Sequence, residues 1–169
     1  GELYDFMIPL NSAVVTESDD VKVTIKMTEK QRVGAIAASG TPGGDGISLV
    51  VDIKENALRD VAKNFINKTH NIRLNETRDS ILPVPFNATL NFSEGVITIR
   101  HSETIDSTPN TLVALDRIQI VNDTTTKDIM VVSASATVTS LDDYYVHIKL
   151  EETQRVKLIA QSSTFGGDG

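Results

Sequence analysis

The chain has no cysteine and no tryptophan, and aromatic residues make up only 5% of its 169 positions. Without cysteine there are no disulfides and no thiolate metal sites, although the compartment is left open. No apolar run is long enough to cross a bilayer. Gly1 reads as a mature or cut end, so the missing signal peptide says nothing about export. Basic residues are outnumbered, 16 Lys plus Arg against 23 Asp plus Glu, for a net charge of −7. That balance excludes the basic stripe of a nucleic-acid surface and attraction to anionic lipids. Histidine is scarce. His70, His101 and His147 share no H-x-x-x-H or H-x-H spacing, so a zinc site is not expected. His147 alternates with Val146 and Ile148, which places it on the wet face of a strand. There is no G-x-S-x-G and no plausible Ser/His/Asp grouping. The adjacent carboxylates Asp19-Asp20, Asp142-Asp143 and Glu151-Glu152 cannot share one site on a strand, where neighbours point to opposite faces. At a turn they are turn formers. The expectation is a protein that is not an enzyme.

What is present is a repeat. Residues 29–46 read EKQRVGAIAASGTPGGDG and residues 152–169 read ETQRVKLIAQSSTFGGDG, identical at 12 of 18 positions. The likeness runs backwards without a gap, MIPLNSAVVTESDDVKVTIKMT at 7–28 lying over MVVSASATVTSLDDYYVHIKLE at 130–151. The offset is 123 residues throughout, so 1–46 recurs as 124–169. A period that long is a domain, not a solenoid turn. The chain reads as one full period plus a second copy of its first 46 residues. At 169 residues it can bury one good core or parts of two.

Hydrophobicity alternates with a period of two. Val21–Met27, Val96–Arg100, Ile118–Ile120, Ala134–Val138 and Val146–Leu150 predict strands with one wet face. Ile47–Ile53 is more continuously apolar and predicts a central strand. Gly40–Gly46, Ser18–Asp20, Leu141–Asp143 and Ser93–Gly95 supply the turns. Thr28-Glu-Lys-Gln31 opens like a capping box, and Glu55–Ala62 also has helical character. Each predicts a single turn between strands. Short strands punctuated by turn residues predict an all-β antiparallel β-sandwich.

The segment 67–91 breaks the alternation and carries Pro83 and Pro85. The domain boundary is therefore expected here. Residues 1–80 read as the later strands of one repeat, and 82–169 as the earlier strands of the next. The chain is thus cut out of phase with its domains. Asn67, Asn75, Asn87, Asn91 and Asn122 each begin an N-x-[S/T] sequon. Ten Asn among 31 Ser plus Thr in 169 residues give roughly two sequons by chance, and five are present. N-linked glycans at the surface, and hence an extracellular location, are expected.

Four phrases together resemble the long tandem Ig-like repeats of very large extracellular surface proteins, found among archaeal S-layer-type proteins, bacterial adhesins and algal surface or fibre proteins. They are Phe92–Ile99, Ser102–Asp106, Gln31–Val33 with Ser39–Gly46, and Leu49–Asn64. In such repeats the last phrase typically ends in an Ala-Gly-Asn corner. Here Lys63 stands in place of that glycine, which predicts an altered corner. The resemblance implies a structural repeat of a filament, fibre or surface layer, assembled with neighbouring copies covalently or head to tail. The alternative is a surface adhesin repeat that binds a glycan or calcium.

GGDG at 43–46 and 166–169 lacks the Lys-Ser/Thr of a phosphate loop and is followed at Ile47 by a strand pattern. Its recurrence at the domain period marks it as structural. Calcium is the one candidate cofactor, with Asp45 and Asp168 as ligands beside backbone carbonyls.

Overall fold

A computed structural model describes residues 6–16, 19–121, 129–131 and 135–167. Asn122, Asp168, Ser18 and Ala134, all named above, lie outside the described residues. Among the described residues the protein is β-rich, with small antiparallel sheets and two short α-helices. It divides into two compact units, Gly1–Ile81 and Leu82–Gly169.

In the first unit, β1 (Val14–Thr16) pairs antiparallel with β2 (Thr24–Lys26), Val15 facing Ile25. Helix α1 (Glu29–Ala37) follows directly. Its N-terminus is closed by a full capping box. Thr28 Oγ1 accepts from the Gln31 amide, and Gln31 Oε1 accepts from the Thr28 amide at 2.9 Å. Glu29 and Arg32, three apart, add an ion pair at 2.7 Å. These local contacts carry the helix to nine residues where the sequence suggested a single turn. The second sheet pairs β3 (Val50–Ile53) with β4 (Thr69–Arg73). β3 is not the central strand expected of Ile47–Ile53, because its sheet has two strands among the described residues. An apolar run fixes which residues seek cover and leaves the pairing partner open.

Glu55–Ala62 forms turns and one isolated bridge, Arg59 with Phe65, in place of the expected helical turn. Asp60 is the cause. Its carboxylate accepts from the Asn64 amide at 2.8 Å and from Asn64 Nδ2 at 2.9 Å, a local alternative to helical bonds. Lys63 sits between them at φ 70°, holding the backbone conformation a glycine would take.

The second unit is built on a four-stranded sheet in the order β5 (Pro85–Asn91), β6 (Val96–Ile105), β10 (Asp143–Lys149), β9 (Thr137–Val138). A further pair, β7 (Gln119–Val121) with β8 (Ile129–Val131), stands beside it in the chain order. Register places Leu90, Ile97, Ile148 and Val138 opposite one another in one row across all four strands. Ala88, Ile99 and Val146 form the next row on the same face. Helix α2 (Glu152–Ala160) contributes Leu158 to this core, in which Ile148 is fully buried. The β5–β6 turn is held by Asn91, whose Oδ1 accepts from the Ser93 and Glu94 amides. Arg155 of α2 reaches across it, Nη1 donating to Phe92 O at 3.0 Å.

Candidate functional site

Residues 123 positions apart take the same local geometry. Both helices are nine residues long and start 123 apart, each behind a capping box. Val15 faces Ile25 in β1–β2, and Val138 faces Ile148 in β9–β10, the same register. Ser39 Oγ donates to Ile36 O at 2.8 Å, as Ser162 Oγ does to Ile159 O at 2.8 Å. Arg32 with Glu29 and Arg155 with Glu152 repeat one ion pair.

The GGDG loop follows the same rule. Gly43 and Gly166 both have φ +96°, and a Cβ at Gly44 or Gly167 would collide with the carbonyl of Ser39 or Ser162. The glycines are required by this close approach after each helix. Asp45 Oδ1 accepts from the Ile47 amide at 2.8 Å, which is a turn contact. Among the described residues no group of three or more acidic, His or Cys side chains is placed to hold a metal ion.

The cover over the two blocks differs. Ile148 and Val146 are 0% and 3% exposed, whereas Ile25 and Val23 are 45% and 49% exposed. Val138 and Leu150 are likewise buried, and Val15 and Met27 exposed. The first block thus presents an exposed apolar hairpin face, with Val15, Val23, Ile25 and Met27. Sequence reading placed these side chains on one face of a strand. That face alone carries no signal of which copy is covered.

The wet face of the four-stranded sheet is a second candidate. Thr98 Oγ1 and His147 Nδ1 lie 2.9 Å apart, and Tyr145 stacks on His147 with ring centroids 6.4 Å apart. Arg100 lies over the Phe86 ring at 4.8 Å and near Tyr145 at 5.9 Å. Asn87, at the end of the same row, faces Arg100 across the strands. Sequence reading missed this aromatic and cationic cluster, since its members come from three strands. Asn67, Asn75, Asn87 and Asn91 are all exposed. In the first unit, His70 Nδ1 meets Asp52 Oδ2 at 2.8 Å across β3–β4. His101 is half-buried, with Nδ1 lacking a hydrogen-bond partner among the described residues. Glu76, within the first unit, ties down the two ends of the GGDG loop by accepting from the Gly40 and Leu49 amides.

No helix among the described residues is long and apolar enough to cross a membrane. No protein-family model, curated protein or solved structure was found to match the chain.

Proposed function

We propose that this chain is a stretch of tandem Ig-like β-sandwich repeats, of period 123 residues, in an extracellular filament, fibre or surface layer, with a structural and not an enzymatic role. The observation that carries the reading is the identical hairpin register, capping box and post-helix glycine turn found 123 residues apart. Separate evolution of one such block twice is a poor account of 12 identities in 18 positions. Exposed sequon asparagines fit an extracellular array carrying N-linked glycans. Joining several 123-residue periods in one polypeptide and stretching it singly tests the repeat. At roughly 3.4 Å per residue, each unfolding event should lengthen the chain by about 420 Å. Increments unrelated to 123 residues would refute the reading. The extracellular part is tested by the mass of native material before and after deglycosylation.

A second reading, an adhesin repeat holding a glycan, is favoured by the Phe86, Arg100, Tyr145 and His147 cluster on the wet sheet face. Aromatic rings beside hydrogen-bonding groups suit the apolar faces and hydroxyls of a sugar. Glycan-array binding lost on Tyr145→Ala separates this reading from a purely structural one.

A further inference from the structure

The two blocks share a backbone and not a cover. In the second unit, β6 pairs along the edge of β10, Ile97 opposite Ile148 and Ile99 opposite Val146, and Leu158 with Val113, Leu115, Ile118 and Ile120 packs the core that buries them. In the first unit, β2 carries the same alternation, but its second edge meets no strand among the described residues. We infer that β2 and its exposed face are the seat of a further β5–β6-type hairpin, of the sequence pattern of Pro85–Ile105, presented by a neighbouring repeat. This deepens, and rests on, the repeat reading above.

The register follows from the second unit. Shifting β10 by 123 residues puts Ile97 of the incoming hairpin opposite Ile25, Thr98 opposite Thr24 and Ile99 opposite Val23. Arg32 occupies the place of Arg155, whose Nη1 donates to the hairpin turn at Phe92 O; the Arg32 Nη1 is held by Asp79, which the incoming turn must displace. One pair changes for the worse, because Lys22 replaces Tyr145 opposite Arg100. A hairpin with an acidic residue at that position fits β2 better than this chain's own.

Further copies of residues 1–169 alone cannot satisfy the seat. The sheet order places β6 between β5 and β10, so both its edges are taken. A copy that lends its hairpin to another chain's β2 strips its own β10. Residues 1–169 hold two blocks and one hairpin, so copies of this stretch alone leave half the blocks bare. The cover comes from an additional hairpin, as it does in the second unit, where the hairpin precedes its block in the same polypeptide.

Joining a second copy of residues 82–123 ahead of Gly1 supplies that hairpin. The amides of Thr24–Lys26 should then slow in hydrogen exchange on the order of 100-fold, toward the rates of His147–Lys149. Unchanged exchange at β2 overturns the inference. Register is read separately, using the absence of native cysteine. Thr24→Cys with Thr98→Cys in the added copy should form a disulfide, and Thr24→Cys with Ser102→Cys should not. Equal cross-linking of both pairs overturns the register. If the extended chain does not fold, a synthetic peptide of residues 82–106 is titrated into the unmodified chain. Resonance shifts at Thr24–Lys26 support the inference, and their absence overturns it. Bare β2 in polypeptides that still show 123-residue unfolding increments refutes the hairpin seat alone. Protected β2 without those increments refutes the repeat period alone.

Discussion

Replacing Ile148 by alanine and Ile25 by alanine makes the same chemical change at matching places in the two blocks. Ile148 is 0% exposed, at the crossing of Leu90, Ile97 and Val138, whereas Ile25 is 45% exposed. Each change removes three carbons, worth about 2.4 kcal/mol of transfer free energy when fully buried. At Ile148 the strands on both sides hold the space open, so a cavity term adds to this, for a total of about 3–4 kcal/mol. At Ile25 roughly half the transfer term applies and no closed cavity forms, which leaves about 1 kcal/mol. Tyr144 and Tyr145 are two of three tyrosines and both lie in the second unit, so tyrosine fluorescence weights its urea transition. Exchange of the Thr24–Lys26 amides reports the first unit. The Ile148 variant should lower the fluorescence midpoint steeply, and the Ile25 variant should leave it unmoved while accelerating exchange at β2 only slightly. Equal destabilisation by the two substitutions would show that β2 is covered as well as β10 is, and the comparison of the blocks would fail.

Lys63 adopts φ 70°, so Lys63→Gly should stabilise the first unit by up to about 1 kcal/mol, read as slower exchange around Asn64. Asn91→Ala removes the acceptor for two turn amides and should cost the second unit about 1–2 kcal/mol in urea unfolding, whether or not the asparagine carries sugar. The Asn64 side chain and amide hold the Asp60 carboxyl below its ordinary range, as the Arg155 guanidinium does for Glu152. A depressed folded pKa gives stability that is complete above the ordinary carboxylate range and is lost as pH falls through the lower folded value. Urea midpoints should therefore be level near neutrality and fall in acid, and Asp60→Asn should flatten that fall in the first unit. A slope unchanged by Asp60→Asn would rule out the Asn64 contact as its source.

Much of the local structure was legible because its causes are local. The capping box at Thr28 is spelled within four residues, and so are the Ser93–Gly95 turn and the paired glycines after each helix. Alternation located β6 and β10, although β6 runs to Ile105, five residues past the predicted end. Three-residue β2 is much shorter than the Val21–Met27 pattern, since alternation continues where cross-strand partners do not. The extent of a strand is set by its neighbour, which lies elsewhere in the chain. Lys63 shows the converse. The Asp60–Asn64 contacts flank a lysine held at positive φ, where residue type alone favours glycine.

The candidate faces follow the same division between local and distant causes. The Phe86, Arg100, Tyr145 and His147 cluster comes from three strands, so no window of sequence contains it. The exposed β1–β2 hairpin is harder still, because its own residues are nearly those of the buried β9–β10 hairpin. One sequence pattern gives burial in one place and exposure in the other. The difference lies in what is packed on each block: β5–β6 and the segment through Ile120 precede β9–β10, and among the described residues no such hairpin precedes β1–β2. A block that keeps its register, cap and glycine turn without its cover is held by local hydrogen bonds. The cover inferred above would add the burial of Val23, Ile25 and Met27, at roughly 25 cal/mol per Å² of apolar surface. In the repeat array proposed above, order would then be coupled from unit to unit through the hairpin, and a block deprived of it would be the place where the array frays first.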